Sequence, residues 1–314
     1  MSESISAFRE AIVAFADRLG DTHLVPLALA LALHTLSLGV RSRVWRDILR
    51  CAFPGRTVST GGAFWAYAAG VGANAIAPIR GGDLVRVYAA RRLVPGGSVA
   101  TIVSTLVAET IFGLFVVIGL AIWAVSSGGL PSLVKLPDAA AFEFSFYAKN
   151  VSLVVALAVA LVAIGVVALR VAEHRVRALS RHLADGFRVL DSPSAFARLV
   201  ALPQLADWVL RVSTAYALLA AFGINASIRD AILVLVVDSV ATAIPFTPGG
   251  AGAQQALLAF ALAGAASQAQ ILAFSVGQQV VITIANIVLG IVALQRVFGH
   301  VRIGHLRRQA SVDS

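Results

Sequence analysis

Long apolar runs, set off from one another by clusters of arginine, dominate the chain. Residues 24–40 form the first run, with His34 its one conspicuous polar side chain. Residues 99–127 form the second, interrupted by Glu109, and residues 151–169 form a third that carries no charge. The fourth, 199–222, contains Asp207 and Arg211, and the last, 271–294, holds Gln278, Gln279 and Asn286. A hydrocarbon core about 30 Å thick takes roughly 20 apolar residues of helix. The five runs therefore predict five full transmembrane spans.

Two further stretches are apolar but punctuated. Residues 61–79 run into Pro78, Gly81 and Gly82, and residues 231–266 are broken by Pro245, Pro248, Gly249, Gly250 and Gly252. Proline removes a backbone donor and glycine weakens a helix. Freed backbone groups at membrane depth persist only where protein or water satisfies them. Both stretches are expected to be re-entrant, broken-helix hairpins.

Charge placement supports hairpins over crossings. Arg41, Arg43, Arg46, Arg50 and Arg56 precede the first broken stretch, and Arg80, Arg86, Arg91 and Arg92 follow it. A full crossing would put one cluster outside, against the excess of cations on the cytoplasmic side. The loop with Arg170, Arg175, Arg177, Arg181, Arg188 and Arg198 is then inside, as is the C-terminus with Arg296, Arg302, Arg307 and Arg308. The second hairpin would enter from the outer face, and the N-terminus would be external. The expected architecture is an all-α integral membrane protein, a polytopic bundle of about five spans and two hairpins. Each half reads span, hairpin, span, the order of an inverted repeat.

Composition agrees. The chain is 59% hydrophobic and 13% charged, against about 45–50% and 25% for soluble domains. A soluble globule and a disordered chain are excluded. The formal charge of +9 belongs to arginine-rich membrane loops, and no nucleic-acid partner is expected. A single cysteine, Cys51, excludes an intrachain disulfide framework and a cysteine-rich metal site. Residues 1–23 place Ile5, Phe8, Ile12, Phe15 and Leu19 on one face, an interfacial amphipathic helix and not a cleavable signal. A similar pattern in loop 171–198 predicts a second one. Residues 24–298 form one transmembrane domain, followed by a basic cytoplasmic tail, 299–314.

The first break reads Asn74-Ala-Ile-Ala-Pro78-Ile-Arg80-Gly81-Gly82-Asp83-Leu-Val-Arg86, and the second Pro245-Phe-Thr-Pro248-Gly249-Gly250-Ala-Gly252-Ala-Gln254-Gln255. The first resembles the Asn, Pro, basic, Gly, acidic, Arg signature of the lysylphosphatidylglycerol synthase/flippase transmembrane family. The second resembles that family's late Pro-Gly-Gly-x-Gly segment. With the hydropathy plan, the resemblance extends from about residue 24 to about residue 296. It implies a multi-pass protein of the bacterial inner membrane that moves lipids between leaflets. Only a short basic tail follows Leu294, so synthase activity is not expected to carry over. Many members have an Arg-Glu pair where this chain has Gln254-Gln255, and often an arginine in the final span where it has Gln278-Gln279. Those departures bear on which lipid is bound.

The residues have a physical reading of their own. A helix that restarts after a Gly/Pro break offers unpaired N–H groups and a positive dipole end to a phosphate. Arg80 and Arg86 would add cations at the inner mouth, or act as ordinary cytoplasmic anchors; Asp83 would cap the dipole itself. Glu109, costly within a span, would carry a proton or lock the hairpin by pairing with Arg80 or Arg86. Asp207 and Arg211, spaced i, i+4, are expected to form a self-neutralising pair. Asp238 has no evident partner and is a further site candidate. Asn74, Gln254, Gln255, Gln278, Gln279 and Asn286 would line a polar groove or join helices by hydrogen bonds. His34 is read as a satisfied histidine of the bundle.

The expected function is transbilayer movement of an anionic or polyprenyl-phosphate-linked lipid through a groove between the hairpins. A non-transporting scaffold for a partner glycosyltransferase or lipid synthase is the alternative, and a membrane-embedded lipid enzyme a weaker one. His23, His174, His182, His300 and His305 lie in loops or at ends without metal-ligand spacing. No catalytic residue, metal or cofactor is expected, and oligomeric state is left open.

Overall fold

A computed structural model describes residues 22–76, 81–126, 184–243 and 253–299, and among these every element is helical. The first half contains α1 (Leu24–Ala52), α2 (Thr60–Ile76), α3 (Gly82–Leu93) and α4 (Val99–Ser126). After a 3-10 turn at Arg188–Asp191 come α5 (Pro193–Phe196), a π turn (Ala197–Ala201) and α6 (Leu202–Ala221). The chain continues through α7 (Ile228–Ala243), α8 (Ala253–Ala261) and α9 (Gln268–Phe298). The third expected span, the N-terminal amphipathic helix, most of the loop at 171–198 and the basic tail fall outside the described residues.

Four of the five expected spans correspond to α1, α4, α6 and α9. Of these, α1, α4 as far as Leu120, and α9 are long and apolar enough to cross a membrane. Helix α6 is shorter, at 20 residues, and carries Asp207 and Arg211 on its way. Each punctuated stretch contributes two described helices, α2/α3 and α7/α8, and the two helices of each pair pack against each other. Both halves thus read helix, broken pair, helix.

Local chemistry sets the ends. Phe53 N–H bonds back to the Leu49 carbonyl, and Gly55 then takes φ 80°, turning the chain out of α1. Ser227 and Asp230 cap α7 reciprocally, the Asp230 N–H donating to Ser227 Oγ at 3.3 Å and the Ser227 N–H to Asp230 Oδ2 at 2.8 Å. Ser267 and Gln270 form the same capping box at the start of α9.

Packing follows the two halves. One core joins Leu38, Trp45 and Leu49 of α1 to Tyr67 of α2, Ala89 and Ala90 of α3 and Ile102 of α4. The other joins Trp208 and Leu218 of α6 to α7, to Leu258 of α8 and to Phe274 of α9, and reaches Ala30 of α1. Helix α1 therefore serves both cores, one with each end. Among helix pairs, α1 with α6 and α2 with α9 make the broadest contacts. Where α2 meets α9, a Cβ on Gly72 would fall on the Gly290 backbone, and the reverse also holds, so the two backbones touch directly. Small residues at such crossings let transmembrane helices approach closely.

The surface is the reverse of a soluble protein's. Val103, Val107, Ile111, Leu114 and Phe115 form an exposed apolar stripe on α4, and Ile284, Val288 and Ile291 form another on α9. Ser37, Asp47, Arg86, Ser104, Asp207, Gln254 and Gln278 are buried. Apolar side chains outside and polar ones inside suit a lipid surround.

Candidate functional site

Two polar clusters stand inside the helices, one at each break. The first is built on the α2/α3 pair. The Gly82 N–H, an orphan donor at the start of α3, donates to Asn74 Oδ1 at 2.8 Å. Asn74 is thus the cap, supplied by the other arm of the pair. Asp83 does not fill that role: its side chain is 62% exposed and lies 3.5 Å from Arg86 Nη1. Gly70 faces the same point on α2. A Cβ there would collide with the stem of Arg86 and with the Gly82 carbonyl. The missing side chain leaves room for Arg86 to lie against α2.

Arg86 is therefore buried, and neither a cation at an open mouth nor a surface anchor. Its Nη2 donates to Glu109 Oε2 of α4 at 2.5 Å, and the Tyr67 hydroxyl donates to Glu109 Oε1 at 3.1 Å. The guanidinium carbon lies 4.2 Å from the Tyr67 ring centre and 4.6 Å from that of Trp45, contacts that favour a cation. Trp45 is held in turn by donation from its Nε1 to Thr105 Oγ1 at 3.2 Å. Arg86 Nε is buried and has no hydrogen-bond partner among the described residues. Of the two roles open to Glu109, the structure shows the pairing with Arg86.

Arg41 approaches the same ring, its guanidinium carbon 5.2 Å from the Tyr67 centre. It makes no ion pair among the described residues; the charges of Asp207 and Glu109 act on it at longer range. The sequence grouped Arg41 with the cytoplasmic arginines, but α1 runs unbroken past it and carries it into the bundle. Arg46 and Arg50 fit the surface role better, flanking Asp47 at 3.1 and 3.9 Å.

The second cluster centres on Asp238 of α7. Gln254 of α8 donates from Nε2 to Asp238 Oδ1 at 2.7 Å. Gln278 of α9 donates from Nε2 to Oδ1 at 3.2 Å and to Oδ2 at 3.3 Å. Beside them Gln255 Nε2 donates to Gln279 Oε1 at 3.0 Å. Asp238 thus has partners after all, both neutral and from two other helices. Nearer α1, His34 Nε2 lies 2.8 Å from Asn286 Oδ1, satisfying that histidine.

The expected Asp207–Arg211 pair does not form. The Ser37 hydroxyl donates to Asp207 Oδ1 at 2.5 Å, and the Arg211 guanidinium turns onto the ring of Trp208, 4.4 Å from its centre. An i, i+4 spacing permits a pair on the helix surface, but here each member has a better partner in the interior.

The structure thus brings Asn74, Gly81, Gly82, Asp83, Arg86 and Glu109 to one site and Asp238, Gln254, Gln255, Gln278 and Gln279 to another. Pro78, Arg80, Pro248, Gly249, Gly250 and Gly252 lie outside the described residues. Sequence reasoning missed Tyr67 and Trp45. Tyr67 interrupts an alanine- and glycine-rich segment, and Trp45 follows Arg41 by one helical turn; both were signals of a buried polar anchor. Among the described residues no group of three His, Cys, Asp or Glu side chains gathers as a metal site would require.

A family model described as the lysylphosphatidylglycerol synthase TM region matches residues 5–290. No curated protein and no solved structure matches the chain.

Proposed function

The chain belongs to the lysylphosphatidylglycerol synthase TM-region family, a membrane family related to lipid handling, and from that premise we propose that it moves an anionic or polyprenyl-phosphate-linked lipid between leaflets. One observation carries this reading. Two guanidinium groups, Arg41 and Arg86, converge on the Tyr67 ring, and the carboxylates in contact with the pair among the described residues, Glu109 and Asp83, both lie on Arg86, leaving Arg41 without one. A cation left without an ion pair inside an apolar bundle is costly, and a lipid phosphate is the anion that a membrane supplies in quantity. Arginine suits it, because its planar fork meets phosphate oxygens bidentately.

In this reading the two broken pairs are re-entrant hairpins in a bundle of five spans, with the C-terminus in the cytoplasm of a bacterium and the chain in its inner membrane. The headgroup enters between the hairpins and meets Arg41 and the buried Nε of Arg86. Its tails stay in lipid. The headgroup then never crosses bare hydrocarbon, where an ion is severely penalised. Rocking of one half against the other, about α1, which both cores share, would expose the site to each leaflet in turn.

The test uses proteoliposomes holding fluorescent NBD-phosphatidylglycerol, with dithionite added outside. Label bleached beyond the outer-leaflet fraction, with no new chemical product, is the expected result, and Arg41→Ala should slow it. A new product would point to an enzyme. Bleaching confined to the outer-leaflet fraction would point to a scaffold.

A further inference from the structure

We infer that Asp238 binds and releases a proton in each transport cycle, making the protein a proton–lipid symporter. This rests on the lipid movement proposed above and adds its energy source. Four described acids are buried or nearly so, and their partners differ. Asp47 lies beside Arg46 and Arg50, and Glu109 against Arg86. Asp207 accepts from Ser37 within the broad α1–α6 interface, and the charges of both Arg41 and Arg211 reach it. Among the described residues Asp238 has the amides of Gln254 and Gln278 as partners and makes no ion pair. Of the charged groups on elements packed against α7 (Glu109 on α4, Asp207 and Arg211 on α6) and on its own first turn (Arg229 and Asp230), Arg211 is the one whose charge reaches Asp238. Helices α8 and α9 bring no charged side chain to it, the one ionisable group of α9, Arg296, lying in its last turn.

An ion so weakly neutralised is stable only in exchange with its protonated form. Oδ1 accepts the shorter amide contacts, and Oδ2 has only the 3.3 Å one. A proton taken from water therefore forms its O–H bond at Oδ2, and that bond breaks when the proton leaves to water on the other side. The charge change also moves the fold. As a carboxylate, Asp238 draws α8 through Gln254 and α9 through Gln278; protonated, it holds both amides less tightly, and the arms of the second broken pair are freer to part. Carrying one proton with one anionic headgroup makes the cargo neutral overall, which lowers the cost of passage.

Two measurements decide it. In nanodiscs, pH-difference infrared spectra of the protein alone should show a carboxylic C=O band that rises and falls reversibly as the pH is cycled, is absent in Asp238→Asn, and shifts in Asp238→Glu. No band removed by Asp238→Asn would overturn the inference without touching the transport reading. In proteoliposomes with a pH gradient of about one unit, NBD-phosphatidylglycerol should become enriched about tenfold in the leaflet on the alkaline side, the ratio that one proton per lipid imposes. Protein-free vesicles, sampled over the same time, set the background. In Asp238→Asn the enrichment should vanish. If label crosses but stays evenly divided in the parent protein, or gathers on the acidic side, lipid movement stands and the symport falls. If label crosses in neither condition, both fall.

Discussion

Glu109 divides its two carboxylate oxygens between two side chains of the α2/α3 pair, Oε2 taking Arg86 Nη2 at 2.5 Å and Oε1 the Tyr67 hydroxyl at 3.1 Å. It comes from α4, so one side chain ties a long helix to both arms of the first break. Removing one partner of a buried pair leaves the other charge uncompensated, at a cost of about 3–5 kcal/mol. Glu109→Gln should therefore lower the thermal unfolding temperature in detergent sharply. Arg86→Met with Glu109→Leu should recover most of the loss. A Glu109→Gln protein as stable as the parent would show that the pair is not a lock.

The α2–α9 crossing gives a second prediction. Gly72 and Gly290 meet backbone to backbone, so Gly72→Ala or Gly290→Ala must push the helices apart, costing about 1–3 kcal/mol. On α4, a Cβ at Gly113 would meet nothing within 4 Å among the described residues. Gly113→Ala should be neutral or stabilising by about 0.5–1 kcal/mol. Melting curves of the three variants in one detergent decide it; equal loss in all three would contradict the close crossing.

The cap at the first break is testable alone. Asn74→Ala removes the acceptor for the Gly82 N–H and should cost about 1 kcal/mol, with faster hydrogen exchange over the first turn of α3. Asn74→Asp keeps an acceptor and should lose much less. Unchanged exchange at Gly82 in Asn74→Ala would mean that the N–H is satisfied elsewhere.

A double-mutant cycle separates the expected Asp207 pair from the observed one. Ser37 and Asp207 should couple by about 1.5–3 kcal/mol, as hydrogen bonds to charged groups do, whereas Asp207 and Arg211 should couple much less. The opposite ranking would restore the i, i+4 pair.

Helix positions were legible because apolar length is a local property of the chain. The runs at 24–40, 99–127, 199–222 and 271–294 became α1, α4, α6 and α9, and each punctuated stretch contributed a pair of shorter helices, α2/α3 and α7/α8. Site geometry was not local. Arg86 reads as one of four arginines after a helix break, and only the empty space at Gly70 and the approach of Glu109 from α4 make it an interior cation. Arg41 reads as one of five arginines at a helix end, because nothing in the apolar pattern announces that α1 continues to Ala52. The partner of Asp207 lies 170 positions away, at Ser37, beyond the reach of any spacing rule. The polar side chains of the late segment were found, but their division into an Asp238 group and a Gln255–Gln279 pair depends on how α7, α8 and α9 meet.

The measurement that bears most directly on a lipid phosphate at Arg41 and Arg86 is a density map of the protein in phosphatidylglycerol nanodiscs. Phosphate density within hydrogen-bonding reach of the Arg41 guanidinium, beside the Tyr67 ring, is the predicted result. A map in which Arg41 pairs with a carboxylate of the chain, with every lipid headgroup confined to the rim of the bundle, would contradict it.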